Sequence, residues 1–438
     1  MLIGYRISFS GGSCSHQVEK KPECFAYLRS PLIFRKRTGK KLLHMTNTTS
    51  YGKRISSIDL LRGLVMIIMA LDHSRDMIHY SAIRNWNPLD LHTTTPWIFM
   101  TRWITHFCAP IFVFLSGTSI FLYRAKGRSK KQVGFFLLTR GIFLMLLEIL
   151  VIGPTWAFGY NLIFLQVIWA IGLSMVILAA LQFLPYRVLL ALGILIILGH
   201  NLLDPIEIKS PMPAAIAWSV VHYSEGYQLG HHVLLVIAYP FLPWLGLMIL
   251  GYCCGKLYLP SFSPLHRKKV LFGLGVLSII LFISFRWLNF YGDPRPWSAQ
   301  KNLLYAIFDF IKLVKYPPSM LFILMTIGPG LIFLSLAERP VNKIGEIIIV
   351  YGKVPLFYYI LHGALIHLLS FAIFFLSGHH WSELDFGHYR DANMPEGAGS
   401  PLWVVYIVWA LTILILYFPC KWYGNYKSAH RTWWLSYL

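Results

Sequence analysis

Apolar segments of about 20 residues recur along the chain from Ser57 onward, and they constrain the fold more than any other feature. At 1.5 Å per residue, about 20 helical residues cross a hydrocarbon core about 30 Å thick. Only 13% of the 438 residues are charged, against about 25% in soluble domains. We therefore predict an all-α integral membrane protein with about ten transmembrane helices, at residues 57–80, 97–123, 133–152, 162–184, 186–204, 232–258, 269–290, 317–336, 354–377 and 402–420.

Positive charge is in large excess, with 39 Lys and Arg against 18 Asp and Glu and a formal net charge of +21. In a soluble protein this excess would suggest nucleic-acid binding, whereas in a membrane protein it marks cytoplasmic loops. With ten alternating helices, the cationic loops 124–131, 259–269 and 337–343 all fall on the side of Lys53 and Arg54. We therefore expect both termini in the cytoplasm, a lipid bilayer around the chain and no nucleic-acid partner.

Residues 1–44 differ in composition from the rest, with nine Lys and Arg, two acids and no apolar run of signal-peptide length. Two interpretations fit them: a basic, disordered tail, or an upstream artefact preceding a native start at Met45. We favour the second. The expected organisation is this tail, a cytoplasmic lead-in at 45–56, a transmembrane domain at 57–420 and a cytoplasmic tail at 421–438.

The first predicted helix carries ionisable side chains within an apolar segment, namely Asp59, Arg62, Asp72, His73, Arg75 and Asp76. Charges inside a membrane helix are costly, so each is a candidate functional residue. Asp59 and Arg62 are three residues apart and can pair, either for function or only to fix the entry of the helix. His73 lies about three turns beyond Arg62 on the same face. We expect Asp76, one turn further, to orient the His73 imidazole as a catalytic base, and a structural role for His73 is the alternative.

Two further helices carry ionisable residues at a depth similar to that of His73. Arg102 and His106 are four residues apart on one face of the second helix, and Glu148 lies deep in the third. Counting 1.5 Å per residue from the predicted helix ends brings His73, His106 and Glu148 to one level. Structural alternatives stay open, with Glu148 as a partner of Arg140 or Arg102 and His106 as a core histidine.

Two motifs open the later helices. Lys315-Tyr-Pro-Pro-Ser319 opens the eighth, where paired prolines suit a first helical turn. Gly352-Lys353-Val-Pro breaks a long apolar run and leaves residues 345–351 as an interfacial segment before the ninth helix. His362 then lies near the middle of the membrane, either as a packing residue or lining a cavity.

Four motifs in this order resemble one family. Arg54-Ile-Ser-Ser-Ile-Asp59-Leu-Leu-Arg62-Gly63 resembles the opening of heparan-α-glucosaminide N-acetyltransferase and its bacterial relatives. The segment 102–117, the Lys315–Ser319 motif and Tyr359-Ile-Leu-His362 also resemble the bacterial branch, so the resemblance covers roughly residues 54–420. The wider transmembrane acyltransferase superfamily includes O-acetyltransferases of bacterial glycans.

The resemblance implies an enzyme that moves acetyl from cytoplasmic acetyl-CoA to a sugar or glycan acceptor on the far side. In the wider superfamily a histidine follows the motif arginine by eleven residues, which matches His73. The N-acetyltransferase that the chain resembles has an Asn at the position that corresponds to His73, and its essential histidine lies further on. This resemblance makes His79 and His92 alternative catalytic candidates. We expect His73 to act as the base, with Arg102 or His106 stabilising the oxyanion.

The co-substrate that the resemblance implies is acetyl-CoA, and the residues expected to contribute to its binding are Lys315, Tyr316, Ser319 and Lys353. Cations on the cytoplasmic loops can hold its phosphates. The residues expected to support the catalytic group are Asp59, Arg62, Asp72, Arg75, Glu148 and His362. The six cysteines show no metal-ligand spacing, so no metal is expected. A homodimer and a bacterial inner-membrane location are also expected, whereas N- and O-acylation both stay open.

Other function classes fit some of these features. A multi-span transporter or permease also uses intramembrane His, Asp and Arg side chains for proton or substrate coupling, although no internal repeat is visible. A non-catalytic sensor or scaffold is the third class.

Overall fold

A computed structural model describes residues 55–83, 86–157, 159–384, 394–395, 397–430 and 432–436. All of these belong to one unit, Thr49–Leu438. The basic segment 1–44 and most of the lead-in at 45–56 lie outside the described residues, so the expectations for them stay predictions.

Helices dominate the described chain, because backbone groups inside a bilayer need hydrogen-bond partners within their own segment. The described α-helices are α1 (Ser56–Ile78), α2 (Tyr80–Ile83), α3 (Pro96–Ile104), α4 (Cys108–Ala125), α5 (Lys130–Leu147), α6 (Gly153–Ala157), α7 (Val167–Leu181), α8 (Tyr186–Gly199), α9 (Met212–Val221), α10 (Phe241–Cys254), α11 (Pro264–Leu288), α12 (Leu303–Ile311), α13 (Met320–Leu336), α14 (Lys343–Lys353), α15 (Pro355–Leu376) and α16 (Leu402–Ala429).

Within the described ranges, seven helices are long and apolar enough to cross a membrane: Pro96–Ala125, Lys130–Trp156, Tyr186–Leu203, Phe241–Tyr258, Pro264–Leu288, Pro355–Leu376 and Leu402–Ala429. Three shorter helices, α7, α9 and α13, are also apolar. Helix α1 has 23 residues and carries five charged side chains, three of them buried. Each of the ten predicted segments coincides with a helix over most of its length, and the predicted all-α integral membrane fold is confirmed.

Two of the predicted helices begin as strands of a small sheet. Strands β1 (Leu162–Leu165), β2 (Glu225–Leu229) and β3 (Val233–Ile237) lie in the order β1-β3-β2, with β1 parallel and β2 antiparallel to β3. The prediction that segments 162–184 and 232–258 are helical throughout is therefore wrong, because their first residues form β1 and β3. A short, continuously apolar run has no periodicity that separates a buried strand from a helix.

Helices α4 and α10 lie at the centre of the molecule. In the most apolar stretch of Pro96–Ala125 and of Phe241–Tyr258, 67% of the residues are buried, against 22% in α11 and α16. The two central helices meet backbone to backbone at two glycines. A Cβ at Gly117 would lie 2.0 Å from the carbonyl oxygen of Met248, and one at Gly251 would lie 2.0 Å from that of Phe114. Small residues permit such close packing of membrane helices.

Replacing Gly117 with alanine is expected to lower the free energy of unfolding by about 1–3 kcal/mol, because the added methyl group forces α4 and α10 apart. Thermal unfolding of the purified protein in detergent, followed by intrinsic fluorescence, measures this. Gly273→Ala in α11 is the matched control, since a Cβ there meets nothing within 4 Å. Equal melting temperatures for the two variants would contradict the close contact.

Candidate active site

Helices α1 and α15 bring two histidines into contact. Nδ1 of His73 and Nε2 of His362 lie 2.6 Å apart, and the two rings stack with their centroids 4.8 Å apart. His362 is completely buried, whereas His73 keeps part of its surface exposed. A hydrogen bond therefore joins two imidazoles that are 289 residues apart in the chain.

The hydrogen bonds of His362 determine which nitrogen of His73 carries the proton. Nδ1 of His362 lies 3.0 Å from the carbonyl oxygen of Tyr358, and a carbonyl only accepts, so this nitrogen is the donor. In a neutral imidazole the other nitrogen is then an acceptor, so Nε2 of His362 accepts the hydrogen of His73 Nδ1. With both rings neutral, Nε2 of His73 keeps its lone pair free, which is the state a general base requires.

Two aromatic side chains enclose His73. The ring of Trp156 lies edge-on at 4.6 Å between centroids, and that of Tyr359 lies at 6.2 Å. Trp156 comes from the short helix α6, which follows a π-helical turn at Glu148–Ile152. Neither aromatic was selected as a site residue from the sequence, because a tryptophan or tyrosine near a helix end is also typical of the membrane interface.

Asp72 is the centre of an ion-pair network beside the histidines. Nη1 of Arg102 donates to both carboxylate oxygens, at 2.8 and 2.7 Å. Nη2 of Arg75 lies 2.8 Å from the same carboxylate, and the Thr105 hydroxyl lies 2.8 Å from it. Asp72 is buried, so this set of donors replaces the water that an ionised carboxylate needs.

Two guanidinium groups contact this single carboxylate, and Lys315 is a third cation whose charge acts on it. The charged groups that act most strongly on His73 are Asp72, Lys315, Arg75 and Arg102. Arg75 is 2% exposed, and its Nη1 has no hydrogen-bond partner. Lys315 is also buried. The surroundings of His73 are therefore positive, with one buried guanidinium nitrogen left to bind a further acceptor.

Asp76 has a different partner from the one the sequence predicts. It pairs with Nη2 of Arg75 and is the more exposed acid of this cluster, with 34% of its side chain accessible. The imidazole nitrogen that Asp76 was expected to hold is bonded to His362. Helical spacing places Asp76 one turn from His73, but it cannot show that a distant helix supplies a closer acceptor.

The charges of this cluster act on His106, whereas Glu148 acts on Tyr359. The ring of the buried His106 lies 5.3 Å from that of Phe322, measured between centroids. The charged side chains that act on it are Arg102, Lys315, Asp72 and Arg75. Glu148 is completely buried, and neither carboxyl oxygen has a well-formed hydrogen bond. In the described part of the chain, no group of three or more His, Cys, Asp or Glu side chains is placed to hold a metal ion.

Asp59 and Arg62 pair at the other end of α1, with Nη1 of Arg62 2.8 Å from Asp59. The same guanidinium also donates to the carbonyl of Gly352 in α14, at 3.2 Å, and to the hydroxyl of Ser119 in α4, at 2.9 Å. These contacts join three helices, which favours the structural interpretation of the pair. Lys353 is exposed and follows Gly352 in α14. Because Gly352 contacts the end of α1 that carries Arg62, Lys353 lies about 20 Å from His73, measured along the axis of α1.

The loop between α12 and α13 carries Lys315, whose charge acts on His73 and His106. The hydroxyl of Ser319 accepts from the amide of Phe322 and so caps α13, and it donates to Asp293 at 2.7 Å. The helix therefore begins at Met320, and the predicted place of the two prolines in its first turn is wrong. Asp293 also accepts from the amide of Val314, and its burial raises the pKa of this carboxyl. Tyr316 is partly exposed and its ring lies 5.1 Å from Nζ of Lys315.

The two alternative catalytic histidines lie outside α1. His79 is buried just beyond its end, and Nδ1 accepts from the amide of Ser81 at 3.1 Å. His92 is exposed in the loop before α3.

One protein family matches more than half of the chain. The family described as heparan-alpha-glucosaminide N-acetyltransferase, catalytic, matches residues 54–291. This range contains His73, Asp72 and Arg102 but ends before Lys315 and His362. No curated protein matches the chain. The chain therefore belongs to the heparan-alpha-glucosaminide N-acetyltransferase catalytic family, whose function is of the membrane acetyltransferase type.

Proposed function

We propose that the protein transfers an acetyl group from acetyl-CoA to a sugar or glycan acceptor, with His73 as the general base. The observation that carries this proposal is the 2.6 Å hydrogen bond from His73 to His362. It leaves Nε2 of His73 free to take a proton, and the partial exposure of this ring keeps it open to a substrate.

In the proposed reaction, Nε2 of His73 removes the proton of the acceptor as its nucleophilic atom attacks the thioester carbonyl. The tetrahedral intermediate then expels the thiolate of CoA, which takes the proton back from His73. His362 acts through His73 as a positioning residue, because it fixes the ring and its tautomer. It also shares the positive charge that His73 acquires.

The cations near His73 are suited to stabilise the oxyanion of this intermediate. Arg102 was the first candidate from the sequence, but its Nη1 is engaged by both oxygens of Asp72. The Nη1 of Arg75, which has no hydrogen-bond partner, and the ammonium of the buried Lys315 are further candidate donors. Preorganised donors of this kind, in a site from which water is excluded, are worth more than in water.

The predicted topology places the donor on the cytoplasmic side and the acceptor on the opposite side. Lys353 and the cationic loops then belong to the cytoplasmic face, where they would hold the phosphates of CoA. Lys315 would act at the reacting carbonyl instead, since it lies with the histidines. A bacterial inner membrane and a homodimer complete the proposal.

The test uses the purified full chain in nanodiscs with radiolabelled acetyl-CoA and a panel of amino sugars and glycans. We expect label transfer that depends on His73, together with binding of CoA. The absence of both, with wild type behaving like His73→Ala, would refute the acetyltransferase. Uptake of a solute into proteoliposomes without acetyl-CoA would support a transporter in its place.

Replacing His362 with leucine is expected to lower kcat by about 100-fold, because His73 loses the acceptor that fixes its tautomer. The KM for acetyl-CoA should stay unchanged, since His362 does not face the donor in the proposed reaction. His362→Gln is the matched variant, because its side-chain oxygen can accept the hydrogen of His73 Nδ1 and should restore part of kcat. Equal losses in the two variants would mean that His362 only fills space.

A further inference from the structure

We infer that Arg286 and Asp293 are positioning residues for acetyl transfer, because together they hold the backbone that carries Lys315. This inference rests on the proposed function, in which the ammonium of Lys315 is a candidate donor to the oxyanion. The family match ends at residue 291, before both Asp293 and Lys315. Neither Arg286 nor Asp293 was selected from the sequence.

Arg286, in the last turn of α11, holds the end of α12. Its side chain is 1% exposed. Its guanidinium donates to four backbone carbonyls, those of Arg295 at 2.6 Å, Asp309 at 2.9 Å, Phe310 at 2.9 Å and Lys312 at 3.1 Å. The last carbonyls of a helix lack partners within that helix, and a cation stabilises them. The guanidinium therefore fixes the point at which the chain leaves α12.

Asp293 holds the segment that follows. Its Oδ2 accepts from the amide of Val314 at 2.9 Å and from the hydroxyl of Ser319 at 2.7 Å. Its Oδ1 lies 3.8 Å from Nη1 of Arg286, and the Asp293 side chain is also 1% exposed. The amide of Ser319 donates to the carbonyl of Val314 at 3.0 Å. These bonds close a turn that contains Lys315.

The first amides of α13 are held from the same side. The amide of Leu321 donates to the carbonyl of Gly292 at 3.0 Å, and that of Met320 donates to Oδ1 of Asn201 at 2.8 Å. Gly292 has a φ of +94°, and a Cβ there would lie 2.5 Å from Cε of Met320. The backbone on both sides of Lys315 is therefore fixed by hydrogen bonds to other parts of the chain.

These contacts matter for the reaction because of the charge that the turn carries. Lys315 is 8% exposed, and its charge acts on Asp72 and His73. A lysine ammonium lies at the end of a flexible four-carbon stem, so its position depends on where the backbone is held. The described partners of Arg286 and Asp293 belong to the loop before α13, so these two residues act on the reaction through Lys315.

The first test measures the position of Lys315 without any activity. The purified full chain in nanodiscs is reductively methylated with formaldehyde, and peptide mass spectrometry gives the rate of modification at each lysine. Lys209, with 81% of its side chain exposed, is the internal reference. We expect Lys315 to be protected in the wild type and to react at a rate close to that of Lys209 in Asp293→Ala. Unchanged protection in Asp293→Ala would overturn the inference, whatever reaction the protein catalyses.

The second test shows whether Asp293 acts on the reaction through Lys315. Asp293→Ala should lower kcat for acetyl transfer by about 100-fold, since a misplacement of about 1 Å can cost this much. In a Lys315→Met background the same substitution should cause little further loss, because residues that act as a unit have non-additive effects. Equal losses in the two backgrounds would mean that Asp293 only stabilises the fold. Absence of His73-dependent transfer in the wild type would refute the proposed function instead and would leave the methylation result valid.

Asp309→Ala is the matched control, because it removes another carboxylate that holds the same loop. Oδ2 of Asp309 accepts from the amide of Ser298 at 2.8 Å and from the side chain of Gln300 at 3.2 Å, so it holds an earlier part of the loop. Asp309→Ala should keep Lys315 protected and retain the wild-type kcat. Effects equal to those of Asp293→Ala would overturn the assignment of a positioning role to Asp293.

Discussion

Replacing His73 with alanine is expected to lower kcat for acetyl transfer by about 1000-fold or more, because a positioned general base contributes about 100- to 10,000-fold. Binding of CoA should persist, since the variant removes only the imidazole. Initial rates with radiolabelled acetyl-CoA give kcat, and calorimetry of the same nanodisc sample gives the affinity for CoA.

Two other histidines serve as controls for His73. His92 is exposed, and His92→Ala should retain the wild-type rate. His79 accepts from the amide of Ser81 through Nδ1, and His79→Ala should therefore act on the end of α1 more than on the chemistry. A full loss of transfer in His79→Ala or His92→Ala, with activity kept in His73→Ala, would move the base to that residue.

Replacing Asp72 with alanine is expected to destabilise the fold by about 3–5 kcal/mol, which is the cost of leaving a buried charge without its partner. The guanidinium group of Arg102 would then lose the carboxylate with which it pairs, and Arg75 would keep only Asp76. Thermal unfolding in detergent and the yield of monodisperse protein measure the effect.

Glu207→Gln is the matched control for Asp72→Ala. It breaks an ion pair with Lys209 at 2.7 Å in which both side chains are largely exposed, and such pairs contribute about 1 kcal/mol or less. A melting temperature of Asp72→Ala equal to that of Glu207→Gln would show that the buried network does not stabilise the fold.

The fold could be predicted from the sequence to a large extent, because the bilayer imposes one solution on each long apolar segment. All ten predicted segments contain a helix. The errors in the predicted segments lie in the strands, to which this rule does not apply. β1 and β3 pair with each other although 68 residues separate Leu165 from Val233, and no pattern within either strand records that pairing.

The candidate site could be predicted only in part. A charged residue within a membrane helix is conspicuous, so Asp72, His73, Arg102, His106 and Glu148 were selected one by one. Their partners were inferred from helical spacing, which describes contacts within one helix. This approach paired Asp59 with Arg62 as the structure does, but it gave His73 the carboxylate of Asp76 in place of the ring of His362.

By itself, the sequence determined that the chain spans a membrane and that its first helix holds several ionisable side chains that are candidate functional residues, because both follow from the cost of moving charge into hydrocarbon. The tertiary structure alone decided which partner each charge meets. α15 brings His362 to His73, the loop before α13 brings Lys315, and α6 closes the site with Trp156. The physical reason is that hydrogen bonds, charges and ring contacts act through space between groups that the fold brings together, while the chain separates His73 from His362 by 289 residues.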